Sequence, residues 1–126
     1  MVEKKKILVV DDEPDIVEGF TTLFEDNGYM TISASNGRDA FALAQSEKPD
    51  LITLDITMDE ESGMRALRNL QDTEATSSIP IIIVTGVSPD LKTFIDRTKK
   101  LEFPAAFMEK PVENSDLLAK VKELIG

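Results

Sequence analysis

Five short apolar runs, spaced almost evenly along the chain, constrain its fold more than any other feature. They are Ile7 to Val10, Met30 to Ala34, Leu51 to Leu54, Ile81 to Val84 and a weaker run from Ala105 to Met108. Three are nearly continuous in Ile, Val and Leu, which is how strands buried on both faces of a parallel sheet read. The stretches between them carry helical period instead. Ile16, Phe20, Leu23 and Phe24 form one stripe, Ala40, Phe41 and Ala44 a second, and Met64, Leu67 and Leu70 a third. Leu91, Phe94, Ile95, Thr98 and Leu101 form a fourth, and Leu117, Leu118, Val121, Leu124 and Ile125 a fifth. Pro14 suits a first helical turn, and Asn27-Gly28 a left-handed exit. Asn36 or Ser35 can cap the second helix, Ser88-Pro89-Asp90 opens the fourth, and Asn114 can cap the fifth. The expected fold is α/β, a (βα)5 doubly wound sheet of five parallel strands with helices on both faces.

Composition narrows the chemistry such a sheet can carry. The 126 residues suit one domain, spanning 1–126, and no repeat, low-complexity stretch or linker divides them. No apolar run approaches the ~18 residues of a membrane span. Zero cysteines exclude disulfides, thiol nucleophiles and zinc-thiolate sites. Zero histidines exclude a histidine base and histidine-ligated metal. Carboxylate, hydroxyl, lysine and hard-metal chemistry remains. The formal charge of −10 argues against wrapping a nucleic acid backbone.

Ligands of an open parallel sheet bind beyond the carboxyl ends of its strands. The first run ends in Asp11-Asp12, followed by Glu13, and the third ends in Asp55. The fourth ends in Thr85-Gly86 and the fifth in Glu109-Lys110-Pro111. Carboxylates, one hydroxyl and one ammonium therefore converge on one edge. Two carboxylates ~4 Å apart repel by roughly 4 kcal/mol at an effective dielectric of ~20. Such a group stays ionised only if a cation intervenes; otherwise a pKa rises. With oxygen ligands alone, the fitting cation is Mg2+. Mg2+ and Lys110 would draw a phosphoryl group, and a carboxylate is the best nucleophile toward phosphorus among these side chains. Asp55, on the central strand, is the natural acceptor, with Asp11 and Asp12 holding the metal directly or through water. Lys110 then pairs with the phosphoryl oxygens, and the Thr85 hydroxyl bonds one of them. The turn after the first strand is Asp-Asp-Glu-Pro, which repels phosphate instead of cradling it, and no GxGxxG or GxxxxGK[ST] occurs. Both facts argue against a dinucleotide or NTP site.

Four segments carry a family resemblance: ILVVDDEP at 7–14, LITLDITM at 51–58 with Gly63 beyond, IIIVTG at 81–86, and FMEKP at 107–111. In order and spacing the chain resembles the receiver domain of bacterial response regulators, of the stand-alone, chemotaxis-regulator-like kind, from Ile7 to Ile125. The resemblance implies a flavodoxin-like sheet of order 2-1-3-4-5 and a cytoplasmic, phosphorylation-driven switch of a two-component or phosphorelay pathway. A histidine kinase or histidine phosphotransfer protein would donate the phosphoryl group to Asp55 with Mg2+, giving an aspartyl phosphate. It implies Asp12 and Asp55 as direct ligands, Asp11 through water, and the Thr57 backbone carbonyl. Thr85 would move toward the phosphoryl group and Phe107 would turn inward, reshaping the face of the fourth helix, fifth strand and fifth helix for an unknown downstream protein. The Lys110–Pro111 bond would be cis. The donor would dock near the first helix, whose outer side carries Asp15, Glu18, Thr22, Glu25 and Asp26, and near the loop before the fifth.

Three departures stand out. Family members usually carry Pro where this chain has Asp59, followed by Glu60 and Glu61. The stretch from Thr85 to Lys110 is longer than usual, with Phe103-Pro104 before the fifth strand. The switch aromatic is Phe107, not Tyr, and it is expected in the core whatever else it does. Blander readings compete: acids near helix starts favour the dipole, Thr85 can serve packing alone, and Lys110 can be a plain surface lysine. Lys4-Lys5-Lys6 reads as a solvated lead-in. No output domain is expected within residues 1–126, the chain either working alone through a partner protein or being a piece of a longer regulator. No direct nucleic acid or membrane partner is expected. The expected protein is a switch and not a turnover enzyme. The alternatives are a degenerate receiver acting as a constitutive interaction module, and a Mg2+-dependent phosphohydrolase using Asp55. The latter usually needs a second Asp where Thr57 stands, and a cap domain.

Overall fold

Alternation along the strands divides the interior into two cores. The computed structural model describes residues 4–55, 60–86 and 106–126, the side chains of 60–64 and 85 excepted. Strands β1 (Lys6–Val10), β2 (Met30–Ala34), β3 (Leu51–Leu54), β4 (Ile81–Thr85) and β5 (Ala106–Glu109) form one sheet. Their order is β2-β1-β3-β4-β5 and all pairs are parallel, as the sequence led us to expect. Helices α1 (Pro14–Asp26), α2 (Gly37–Glu47), α3 (Glu60–Asp72) and α4 (Asn114–Ile125) accompany it. The helix expected over 91–101, its Ser88-Pro89-Asp90 start and the Phe103-Pro104 approach lie outside the described residues. Among the described residues, no helix is long and apolar enough to cross a membrane.

Leu8, Val10, Ile52, Leu54 and Ile83 point to one face, against Ala40 and Ala44 of α2 and Leu67 and Leu70 of α3. Ile7, Val9, Leu51, Ile82 and Val84 point to the other, against Phe20 and Phe24 of α1 and Leu117 and Val121 of α4. Burial on both faces is why these strands read as unbroken apolar runs, each such side chain contributing about 1.5–3 kcal/mol.

The register positions the site. Val10 lies opposite Leu54, so the next residues, Asp11 and Asp55, leave the sheet side by side. The ladder extends one step past the strands: the Asp55 N–H donates to Val10 O at 3.0 Å, and the Asp11 N–H to Ala34 O at 3.2 Å. Thr85 lies opposite Glu109, which brings Lys110 to the same edge.

Helix ends follow local chemistry with one correction. Pro14 opens α1, and Gly28 takes the left-handed exit at φ +91°. The Asn36 side chain accepts from the Asp39 N–H at 2.8 Å and caps α2. Asn114, expected to cap the last helix, is instead its first residue, and Glu113 holds the capping position without a side-chain cap bond. Phe107 is a second correction, being 39% exposed and not core. It sits on the edge strand β5, where Ala106 and Met108 take the inward positions and pack on the α1/α4 core.

Thr53 is the odd residue of β3: it is buried on the side of Leu51, and its hydroxyl finds no hydrogen-bond partner among the described residues. A buried, unsatisfied hydroxyl costs about 1–3 kcal/mol. Thr53→Val, nearly isosteric, should therefore raise the urea unfolding free energy by about 1 kcal/mol. A loss of stability would mean that the hydroxyl has a partner.

Candidate functional site

Asp11, Asp12, Asp55 and Lys110 meet at the carboxyl edge of β1, β3 and β5. Asp11 and Asp55 are both 2% exposed, whereas Asp12 faces solvent. Lys110 Nζ donates to Asp11 Oδ2 at 2.9 Å and to Asp55 Oδ2 at 3.1 Å, so one ammonium ties two buried carboxylates from neighbouring strands. The Glu13 N–H donates to the other Asp11 oxygen at 2.9 Å. The Lys110–Pro111 peptide bond is cis.

Electrostatics follow from burial. Burial pushes the Asp11 carboxyl above its ordinary value, and the Asp55 charge adds to this against the pull of Lys110 and the Glu13 N–H. For Lys110, burial acts downward, but Asp11 and Asp55 together outweigh it and hold the ammonium above the usual lysine value. Keeping the Asp11 carboxyl ionised in this buried place is therefore costly even with Lys110 beside it.

One carboxylate oxygen from each of Asp11, Asp12 and Asp55 lies within 4.8 Å of the others. Three hard donors so grouped fit a small divalent cation that keeps several waters. The Thr57 carbonyl, the Thr85 hydroxyl and the Asp59 side chain lie outside the described residues, as do the side chains of Glu60 and Glu61. Thr85 itself ends β4 at the same edge. One residue at the site was assigned no role from sequence: Glu13, whose Oε1 is 3.9 Å from Lys110 Nζ. Its place directly after the Asp pair was the only signal available. Beside Lys110, a cleft of about 440 Å3 runs between α1 and the start of α4, lined by Asp15, Ile16, Gly19, Phe20, Pro111 and Val112 among others.

A doubly wound sheet with paired acids after β1, a third acid after β3 and a lysine after β5 defines a class of protein, and comparison with known proteins agrees. The response regulator receiver domain matches residues 7–122. Protein PilH of Pseudomonas aeruginosa is 36% identical over 122 residues, covering 96% of this chain and 98% of PilH. The polar-differentiation response regulator DivK of Brucella anthropi is 31% identical over 122 residues, covering 97% of each. The chemotaxis protein CheY4 of Vibrio cholerae superposes with a TM-score of 0.83 at 25% identity, covering 97% of this chain and 99% of that one. The chain belongs to the response regulator receiver domain family. Its function in outline is phosphorylation-dependent signalling, in which receiver domains take phosphoryl groups from histidine kinases and act on downstream partners.

The raised Asp11 value has a testable sign. Asp11 holds its proton more tightly folded than unfolded, so ionising it costs stability. That cost is absent below the ordinary value of 3.8 and fully present once the pH exceeds the folded value. In metal-free buffer at pH 7, Asp11→Asn should therefore raise Tm. The gain should vanish as the pH falls toward 3.8. An unchanged or lower Tm at pH 7 would show that the Lys110 pairing outweighs burial.

Proposed function

We propose that Asp55 is the phosphoacceptor of a switch that takes its phosphoryl group from a phosphohistidine donor in a two-component or phosphorelay pathway. The observation carrying this reading is the buried Asp55 carboxylate held 3.1 Å from Lys110 Nζ at the carboxyl end of the central strand. An Asp55 oxygen forms the new bond to phosphorus as the P–N bond to the donor imidazole breaks. The imidazole keeps the electron pair and takes a proton from solvent. Lys110, charged throughout, moves a hydrogen bond from Asp55 to the phosphoryl oxygens. Hydrolysis reverses the state: water adds to phosphorus, the P–O bond breaks, and Asp55 regains its carboxylate with release of phosphate. Asp11, Asp12 and Asp55, with the Thr57 carbonyl, would hold a Mg2+ ion, which would supply positive charge beside the carboxylate and phosphoryl oxygens.

The chain catalyses only this transfer and loss on itself, in the cytoplasm, and passes the state to a downstream protein. Thr85 joins the phosphoryl group, and Phe107, exposed beforehand, turns inward. The donor docks over α1 and the cleft beside Lys110, where Asp15, Glu18 and Asp26 make the surface acidic. A donor with a cationic face fits it.

Intact mass after incubation with a small acyl phosphate tests the central step. Wild type should gain one phosphoryl group only with Mg2+, and Asp55→Asn should gain none. A folded, Mg2+-binding protein that gains nothing would either refuse small donors or be a constitutive interaction module, and repeating the measurement with Asp59→Pro would separate the two. Once a donor protein is in hand, Glu18→Lys should slow its transfer about tenfold, the scale of one lost charge contact, and leave the small donor's rate alone. Equal slowing of both would remove α1 as the docking face.

A further inference from the structure

We infer that Glu13 selects among phosphodonors, holding back small dianionic ones; the inference rests on Asp55 being the phosphoacceptor. Glu13 occupies the capping position of α1, yet its side chain makes no cap hydrogen bond. Its backbone is held on both sides: the N–H donates to Asp11 Oδ1 at 2.9 Å, and the carbonyl accepts from the Ile16 and Val17 N–H groups at 3.1 Å. The carboxylate approaches Lys110 instead, with Oε1 3.9 Å from Nζ, too long for a hydrogen bond and close enough for charge to act.

Burial orders these groups from inside to outside. The side chains of Asp11 and Asp55 are 2% exposed, that of Lys110 is 15% exposed and that of Glu13 is 64% exposed. Of the three carboxylates within 4 Å of the ammonium that a phosphoryl group must reach, Glu13 is therefore the one open to solvent. Lys110 already meets Asp11 and Asp55, and Glu13 adds a further negative charge at the mouth. An anion hydrogen-bonded to Lys110 Nζ at about 3 Å would lie within about 7 Å of Oε1, which is itself 3.9 Å from Nζ. At that range, with water nearby, one charge acting on a dianion changes its affinity by about threefold to tenfold. A phosphoprotein donor draws its affinity from its own interface, so the same charge hinders it less.

The test compares two small donors of different charge, in Mg2+ buffer, with phosphorylation rates followed by intact mass. Acetyl phosphate is a dianion, and phosphoramidate carries less net negative charge. Glu13→Gln should lower KM for acetyl phosphate about threefold to tenfold with kcat unchanged, and lower that for phosphoramidate clearly less. In 1 M salt, where screening acts over ~3 Å, the difference between wild type and variant should shrink. Glu13→Asp keeps the charge and should keep the wild-type KM, whereas a capping role would show as a shared Tm change without the KM split. Because the same charge acts on a dication near Asp55 as strongly as on a dianion, calorimetric titration should find Mg2+ affinity in Glu13→Gln lower by at most about threefold to tenfold, and the KM comparison is made at saturating Mg2+. At saturating Mg2+, equal KM values for wild type and Glu13→Gln, or an equal fall in KM for both small donors, would overturn the inference while leaving Asp55 as acceptor. Failure of wild type and variant alike to gain a phosphoryl group at Asp55 would overturn both readings.

Discussion

The parallel register that sets Val10 against Leu54 is the constraint on which the site depends. It delivers Asp11 and Asp55 side by side at the end of two central strands, each nearly sealed from water. Two such charges repel strongly, and the fold answers with one ammonium from a distant strand. Sliding either strand by one residue would turn its apolar faces over and part the acids together. The core packing and the chemistry are therefore enforced by the same register.

Lys110 ties the edge of the sheet to its centre. It follows β5, the outermost strand on its side, and reaches across β4 to β1 and β3. A lysine suits this better than an arginine, since a compact ammonium on a flexible stem can change partners without breaking a planar fork. Burial of the Asp11 carboxyl, with the repulsion of the Asp55 charge added, makes it costly to keep this edge ionised, as the raised Asp11 value records. A binding site that stores such repulsion is ready for a cation and for a group that the cation accompanies.

Much of this was legible along the chain because period and burial are linked. Ile7–Val10, Leu51–Leu54 and Ile81–Val84 had to be central strands, since no other element buries both faces of so short an apolar run. Asp11, Asp55 and Lys110 were readable as site residues because each directly follows such a run. Phe107 misled because aromatic character speaks for burial, while β5 is an edge strand whose alternation turns that position outward. Asn114 misled by one position, because Glu113 has the extended backbone that a helix start requires.

The sequence by itself determined the alternation of strands and helices, the restriction to oxygen and lysine chemistry, and the acids at the strand ends. Those are local properties, set by side-chain period and by which residue types are present. Tertiary structure alone decided that Lys110 bridges Asp11 and Asp55, that Asp12 stays outside, and that Glu13 faces the ammonium without capping its helix. These depend on distances between residues far apart in the chain, up to 99 positions for Lys110 and Asp11. Only strand order, register and burial, acting together, can set such distances.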